Sequence, residues 1–99
     1  MSNFEVNYEE LNKKADQLNE MNDRFKTMIS GLQEKEASLN SMWEGEARDQ
    51  FHNAFMSDVN QMNVFHDTVV KYVAALRKIA QMYKQQEMAN LNIARTRSY

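Results

Sequence analysis

Three consecutive residues near the middle of the chain, Trp43-Glu44-Gly45, constrain the fold more than any other feature. The 99 residues contain no proline and two glycines, so the backbone has few places to reverse its direction. Trp43 is the single tryptophan, and Gly45 lies between two long stretches of amphipathic character. We therefore expect the chain to turn at residues 42–45 and to be helical on both sides.

The composition favours helix throughout and argues against several classes of function. The sequence is rich in Glu, Gln, Lys, Leu and Met, which is typical of an all-α chain. The net charge is −2 and charges of both signs are interspersed, so we expect no cationic surface for nucleic acid. No apolar run approaches the roughly 18 residues of a membrane span, so no stable membrane insertion is expected. The first residues lack the basic and apolar regions of a cleavable signal peptide.

The first helix is predicted from about residue 8 to residue 41. Asn7 is a suitable N-cap, and Glu10 follows three residues later, as in a capping box. Apolar residues then recur at alternating intervals of four and three, which forms one stripe facing a partner helix. This stripe comprises Leu11, Ala15, Leu18, Asn22, Phe25, Ile29, Leu32, Glu36, Leu39 and Trp43. Gly31 lies inside the helix, where close approach of a second helix is the expected reason for a glycine.

The second helix is predicted over about residues 46–92, with a flexible tail over residues 93–99. Its stripe has the same spacing and comprises Phe51, Phe55, Asp58, Met62, Phe65, Val69, Tyr72, Leu76, Ile79 and Tyr83. Smaller apolar residues broaden this stripe, namely Ala47, Val59, Val73 and Ala80. Two helices and one turn thus account for a single helical-hairpin domain over residues 1–99.

The polar residues of the first stripe predict the register of the hairpin. Folding about the turn places residue i opposite roughly residue 88 − i, an estimate from antiparallel helix pairing. Asn22 then faces His66, and Glu36 faces His52, so each polar interruption meets a histidine of the other helix. The second helix is longer than the first, so residues beyond about Tyr83 have no helix opposite them.

We find no recognisable set of catalytic, metal-binding or cofactor-binding residues in the sequence. His52 and His66 lack a second histidine or a carboxylate four residues later, so a zinc site is not expected. Asp58 lies in the second stripe opposite Ser30, which favours a hydrogen-bonded or partly hydrated polar layer that could serve to fix register. No Ser/His/Asp set, phosphate-binding loop or pair of catalytic carboxylates is present, so we expect neither an enzyme nor a cofactor.

A single hairpin leaves the apolar flanks of both stripes uncovered. The usual solution is a second hairpin, which produces a four-helix bundle with coiled-coil-like packing. We therefore expect a homodimer, or a heterodimer with a similar chain, with an interface of about 1,600 Å². The residues expected in hairpin and dimer packing are Leu18, Phe25, Ile29, Leu32, Phe55, Met62, Phe65 and Val69.

The Trp43-x-Gly45 motif, placed between two long amphipathic helices in about one hundred residues, resembles a family of small secreted bacterial proteins. These are the Trp-x-Gly, early-secreted-antigen-like substrates of type VII secretion, and the resemblance covers the whole chain. The family also carries a C-terminal export pattern, Tyr-x-x-x-Asp/Glu, which Tyr83-Lys84-Gln85-Gln86-Glu87 fits. The same spacing arises in any helix whose Tyr and Glu share a face.

The resemblance implies a non-enzymatic, virulence-associated protein that is made in the bacterial cytoplasm and secreted as a folded dimer. The implied role of such a protein is that of an effector, or of a carrier and chaperone for co-exported partners. In an antiparallel dimer, Trp43 and Gly45 of one protomer would neighbour the partner's Tyr83 and the partner's Glu87. The resemblance implies that the secretion ATPase recognises this composite surface, and it leaves both homodimers and heterodimers open. The alternative is a cytosolic helical-bundle adaptor or chaperone for a partner protein.

Overall fold

Two antiparallel α-helices form an extended hairpin, as the sequence predicts. The computed structural model describes the backbone of residues 7–96 and the side chains of residues 7–93. Helix α1 is Tyr8–Asn40 and helix α2 is Glu46–Thr96, and the molecule measures 83 × 22 × 16 Å. Helix α1 ends one residue before the predicted end. Helix α2 continues through residues 93–96, where the sequence predicts a tail, and residues 97–99 lie outside the described part.

The start of α1 has the predicted cap. Asn7 has an extended backbone, with φ of −107° and ψ of 156°, and its Oδ1 accepts a hydrogen bond from the Glu10 N–H at 2.7 Å. This contact satisfies one of the four N–H groups that have no carbonyl partner at a helix start. The capping signature therefore positions the first turn of α1 correctly.

Two polar contacts between the helices confirm the predicted register. The Asn22 Nδ2 donates to the backbone carbonyl of His66 at 3.0 Å. The Glu36 carboxylate contacts the ring of His52, with 3.1 Å between Oε2 and Nδ1. Asn22 and Glu36 are both buried in the seam, the contact surface between α1 and α2. Each polar side chain therefore needs a partner on the other helix. Sliding the helices by one turn would remove both contacts.

Small side chains, rather than aromatic rings, lie at the centre of the hairpin. The buried apolar residues of the described chain are Ala15, Ile29, Val59, Val73 and Ala80. Residues that recur every seven positions lie in one column along a helix. The column of α2 that faces α1 consists of His52, Val59, His66, Val73 and Ala80. The sequence instead predicts the neighbouring column, with Phe51, Asp58, Phe65, Tyr72 and Ile79, and these five residues are exposed. The smaller column lets the helix axes approach, and it leaves the rings on the flank.

The predicted polar layer between Asp58 and Ser30 is wrong. Both residues are exposed, because each lies on a column outside the seam. Asp58 belongs to the exposed aromatic column of α2, and its carboxylate is therefore hydrated in the single chain. The buried polar contacts that fix the register of the hairpin are therefore those of Asn22 and Glu36.

The two glycines differ in backbone conformation and not in available space. Gly31 is exposed, and a Cβ added there would meet no atom within 4 Å, so the predicted close approach of a second helix is wrong within the hairpin. An added Cβ at Gly45 would also meet nothing within 4 Å, but Gly45 has a φ of 111°. That conformation is unfavourable for residues with a Cβ.

We expect opposite effects from alanine at the two glycines. Gly31→Ala should raise the free energy of unfolding by about 0.5–1 kcal/mol, because glycine is a poor helix former. Gly45→Ala should lower it by roughly 1–2 kcal/mol, because an L-residue is strained at positive φ. Urea denaturation followed by circular dichroism, at one fixed protein concentration, measures both effects. A destabilising Gly31→Ala would contradict the exposed position of that residue.

Candidate functional site

The turn between the helices is built from local hydrogen bonds and one glycine. The Ser41 N–H donates to the Ala37 carbonyl at 3.2 Å, which closes the last turn of α1. The positive φ of Gly45 lets the chain reverse, and the Gly45 carbonyl accepts from the Asp49 N–H at 3.2 Å. This last contact is the first of the α2 ladder, so Gly45 serves both the turn and the start of the helix.

The Trp43 indole packs against α2 at the closed end of the hairpin. Its ring centroid lies 6.2 Å from that of Phe51 in an edge-to-face arrangement. Phe51 in turn stacks on Phe55 at 6.4 Å. The half-buried indole therefore begins an aromatic row that continues along α2, and such ring pairs contribute about 0.5–1.5 kcal/mol beyond area burial.

The polar groups of Trp43 are unequally satisfied. Its backbone carbonyl accepts a hydrogen bond from the Arg48 Nη1 at 3.3 Å, and Arg48 also pairs with Asp49 at 3.2 Å. Its indole Nε1 is buried and has no acceptor among the described residues. A buried donor without a partner costs about 1–3 kcal/mol.

The contribution of Arg48 is absent from the sequence prediction. A basic residue in the first turn of a helix is unfavourable for the helix dipole, which prefers negative charge there. The contacts to the Trp43 carbonyl and to Asp49 explain why arginine occurs at this position. The signal in the sequence that could have revealed this contact is a basic residue in the first turn of α2, next to the turn motif.

Two substitutions of Trp43 should separate the ring from the N–H. Trp43→Ala should lower the free energy of unfolding by roughly 2 kcal/mol, below the value for a fully buried ring because the indole is half-exposed. Trp43→Phe should stay within about 1 kcal/mol of the unsubstituted protein, because losing the unpaired donor offsets the smaller ring. Circular dichroism during denaturation gives both values. An equal loss of unfolding free energy in the two variants would mean that the indole N–H of Trp43 has an acceptor in solution.

Tyr83 and Glu87 lie on the part of α2 that extends past α1. The Lys84 ammonium lies 5.7 Å from the ring centroid of Tyr8, at the first turn of α1, so support from α1 ends there. All residues from 81 to 93 are exposed, and we call this segment the overhang. Tyr83 lines a shallow groove on the overhang with Ile79, Met82 and Gln86.

A single chain does not bring the two motifs together. Gly45 is at one end of the hairpin and Tyr83 is at the other, roughly 57 Å away at 1.5 Å per helical residue. The Trp-x-Gly turn and the Tyr-x-x-x-Glu pattern are therefore two separate surfaces in the monomer.

One side of the hairpin exposes large apolar side chains from both helices. Leu18, Met21 and Phe25 of α1 line one groove with Phe65 and Val69 of α2. The rings of Phe25 and Phe65 meet edge to face across that groove, with centroids 5.8 Å apart. Residues three, four or seven positions away from these lie on the same side of their helix, so helical periodicity extends this surface along both helices. We call this surface the apolar face; it comprises Leu18, Met21, Phe25, Met28, Leu32, Leu39 and Met42 of α1 with Phe51, Phe55, Met62, Phe65, Val69, Tyr72, Leu76, Ile79 and Tyr83 of α2.

The exposure of individual residues shows how little of this face one chain covers. Met28 is 65% exposed, Phe65 is 60% exposed and Tyr72 is 59% exposed. Of the residues predicted to pack, Ile29 is buried between the two helices. Leu32 and Phe65 are exposed in the single chain. The half-buried remainder borders both the seam and the apolar face, and comprises Leu18, Phe25, Phe55, Met62 and Val69.

The opposite side of the hairpin carries polar bridges between the helices. The Lys26 Nζ donates to the Asn63 Oδ1 at 2.6 Å. Arg77 pairs with Asp16 at 2.8 Å, nearer the start of α1. The large apolar surface and the bridging polar contacts thus occupy different sides of the molecule.

The described residues offer no metal site. Among residues 7–93, no group of three or more His, Asp or Glu is arranged to hold a metal ion. Within the same described part of the chain, neither helix combines the length and the apolar character needed to cross a bilayer.

These features define a class of protein, the small helical hairpins with a Trp-x-Gly turn. The sequence profile of the WXG100 family, described as proteins of 100 residues with WXG, matches residues 3–88, and the chain belongs to that family. WXG100 proteins are small secreted helical proteins, known as type VII secretion substrates, and the family is not one of enzymes. No curated protein and no solved structure matches the chain.

Proposed function

We propose that this chain is exported by a bacterial type VII secretion system as a folded homodimer. After export it acts as an effector, or as a carrier for proteins that leave with it. The observation that carries the proposal is the Trp43-x-Gly45 turn at the closed end of a WXG100 hairpin. The Tyr83-x-x-x-Glu87 pattern on the exposed overhang supports it.

The apolar face supports the dimer. Soluble monomers rarely expose contiguous apolar patches of more than a few hundred Å². The hairpin is one layer of two helices, and a second hairpin laid on this face would complete a four-helix bundle. Homodimers with two-fold symmetry are the commonest closed assemblies of soluble chains.

The dimer would also assemble the export surface. In one chain the Trp-x-Gly turn and the overhang lie at opposite ends of the hairpin. An antiparallel partner places its own overhang beside this turn, so that Trp43 and Gly45 neighbour the partner's Tyr83 and the partner's Glu87. The secretion ATPase would then recognise a surface that only the assembled dimer presents, which couples export to folding and assembly.

We expect Tyr83→Ala and Glu87→Ala each to reduce the protein in the culture supernatant by at least about tenfold, because each removes half of the overhang pattern. The cytoplasmic level of both variants should be unaffected, as immunoblots of cell fractions would show. Glu87 lies off the apolar face, so light scattering should also show an unchanged dimer for Glu87→Ala. Gln85→Ala, a change at another exposed overhang residue, serves as the matched control and should be exported normally.

Two results would contradict this proposal. One is export of the Tyr83→Ala and Glu87→Ala variants at the level of the unsubstituted protein. The other is export that persists in cells without the secretion ATPase.

A second candidate function is a cytosolic adaptor that uses the apolar face to hold another protein. The observation that favours it is the methionine content of this face, since Met21, Met28 and Met42 are all exposed. Methionine side chains adapt to different partners, and such surfaces occur in promiscuous binding proteins. Retention of all the protein in the cytoplasm of cells with an active secretion system would favour the adaptor over the export substrate.

A further inference from the structure

One side of the overhang carries Lys84, Met88 and Leu91, and no helix of the described chain lies opposite it. We propose that residues 1–6 of the same chain run along this side of α2, with the Phe4 ring packed on Met88 and Leu91, and that they brace the overhang. The occupant of this surface is thus a segment that precedes the described part of the chain. The surface is separate from the apolar face, and its occupant does not depend on the proposed dimer.

The three residues form one strip along α2, because they are spaced by four and three positions. We call this surface the strip. Met88 is 56% exposed and Leu91 is 50% exposed, so each keeps half or more of its surface in water. Tyr83 and Glu87 lie on a different face, roughly a quarter of a turn away around the helix. A segment on the strip would therefore leave the export pattern accessible.

The strip continues the side of the hairpin that carries polar bridges. Lys84 and Leu91 follow Arg77 at intervals of seven residues, and Arg77 pairs with Asp16 on that side. The apolar face lies on the other side of the molecule. A second copy laid on the apolar face would therefore leave the strip uncovered, and its occupant must come from elsewhere.

The overhang needs such an occupant because it has little tertiary support. Most helical stability in proteins comes from the packing of an apolar face rather than from the propensity of single residues. Support from α1 ends at the contact between Tyr8 and Lys84, and every residue from 81 to 93 is exposed. Helix α2 nevertheless extends to Thr96. Packing on the strip would supply the missing stabilisation.

The start of α1 brings residues 1–6 to the strip. The Tyr8 ring lies 5.7 Å from the ammonium of Lys84, which is the first residue of the strip. Helix α1 begins at Tyr8, and the backbone of the N-cap Asn7 is extended. The chain before Asn7 can therefore run beside α2 instead of continuing the helix, and it starts on the side that carries the strip.

The length of the segment matches the distance. In the register of the hairpin, Asn7 lies level with roughly residue 81 of α2, an estimate from antiparallel pairing. The three residues from Asn7 to Phe4 span roughly 10 Å when extended, and α2 needs about seven residues to cover that distance. Phe4 therefore comes level with Met88, and Leu91 lies one turn further along the same strip.

The sequence of the segment also suits the strip. Phe4 and Val6 are apolar, and they alternate with polar residues at positions 3, 5 and 7. This period of two places both apolar side chains on one side of an extended chain and the polar side chains on the other. The thioether of Met88 is a favourable neighbour for an aromatic ring, since methionine adapts its shape to the contact.

Disulfide cross-linking tests the contact, and the chain has no native cysteine to interfere. A chain with both Phe4→Cys and Leu91→Cys should form an internal disulfide on mild oxidation. Phe4→Cys combined with Gln86→Cys is the matched control, since Gln86 is exposed on the opposite side of α2, and it should link at least about tenfold more slowly.

Two cross-linking results would overturn the proposal. One is an equal rate of disulfide formation in the two double variants. The other is equally fast linking in a mixture of the two single variants, Phe4→Cys and Leu91→Cys, because the occupant of the strip would then be another chain.

Amide hydrogen exchange tests the bracing with the strip intact. Phe4→Ser should speed the exchange of the amides of residues 85–93 by about fivefold or more, because the overhang opens more often without the contact. Asn3→Ser is the control, as a polar change next to Phe4, and should leave these rates unaltered. Amides around Ile29, buried in α1, should exchange at the native rate in both variants, which shows that the hairpin stays folded. Unaltered exchange of residues 85–93 in Phe4→Ser would overturn the bracing.

The brace also maintains the export pattern, because only a helical segment holds Tyr83 and Glu87 on one face. This consequence rests on the proposed function. Phe4→Ser should lower the amount of exported protein by about threefold, whereas Asn3→Ser should not. Faster exchange with native export in Phe4→Ser overturns this consequence alone. Native export of Tyr83→Ala and Glu87→Ala would instead overturn the proposed function and leave the docking of residues 1–6 to the first two experiments.

Discussion

Two buried polar side chains in the seam, the Asn22 amide and the Glu36 carboxylate, determine how the helices of this hairpin align. Each would be unsatisfied if α2 slid by one turn, and an unpaired buried polar group costs more than most single apolar contacts contribute. The His66 carbonyl and the His52 ring therefore fix the register. Once the register is fixed, it also decides which columns of side chains face inward and which face outward.

The consequence for the rest of the molecule is an apolar face that a single chain cannot bury. Valine and alanine form the buried part of α2 in the seam, and the rings of α2 project from the flank. This is the reverse of a core built around aromatic residues. The surface that results needs a partner, and both the proposed dimer and the proposed export surface depend on that partner.

The sequence predicts the helices, the Asn7 cap, the turn and the register, because each depends on local patterns or on rare polar residues in an apolar stripe. It predicts the wrong inward column of α2. Adjacent columns, such as those of Val59 and Phe65, are both apolar, and periodicity cannot distinguish them. The choice depends on side-chain volume between the two helix axes, which is a tertiary property. The contact of Arg48 with the Trp43 carbonyl and the unpaired indole N–H likewise depend on the three-dimensional path of the turn.

The central claim of this account is that a second copy of the chain covers the apolar face. Sedimentation equilibrium over a range of concentrations tests it most directly, since the chain has a mass of 11.7 kDa. The account predicts a species of twice that mass at micromolar concentration, and a monomer when Phe65 and Tyr72 are both replaced by lysine. A mass of 11.7 kDa for the unsubstituted protein at every concentration would contradict the account.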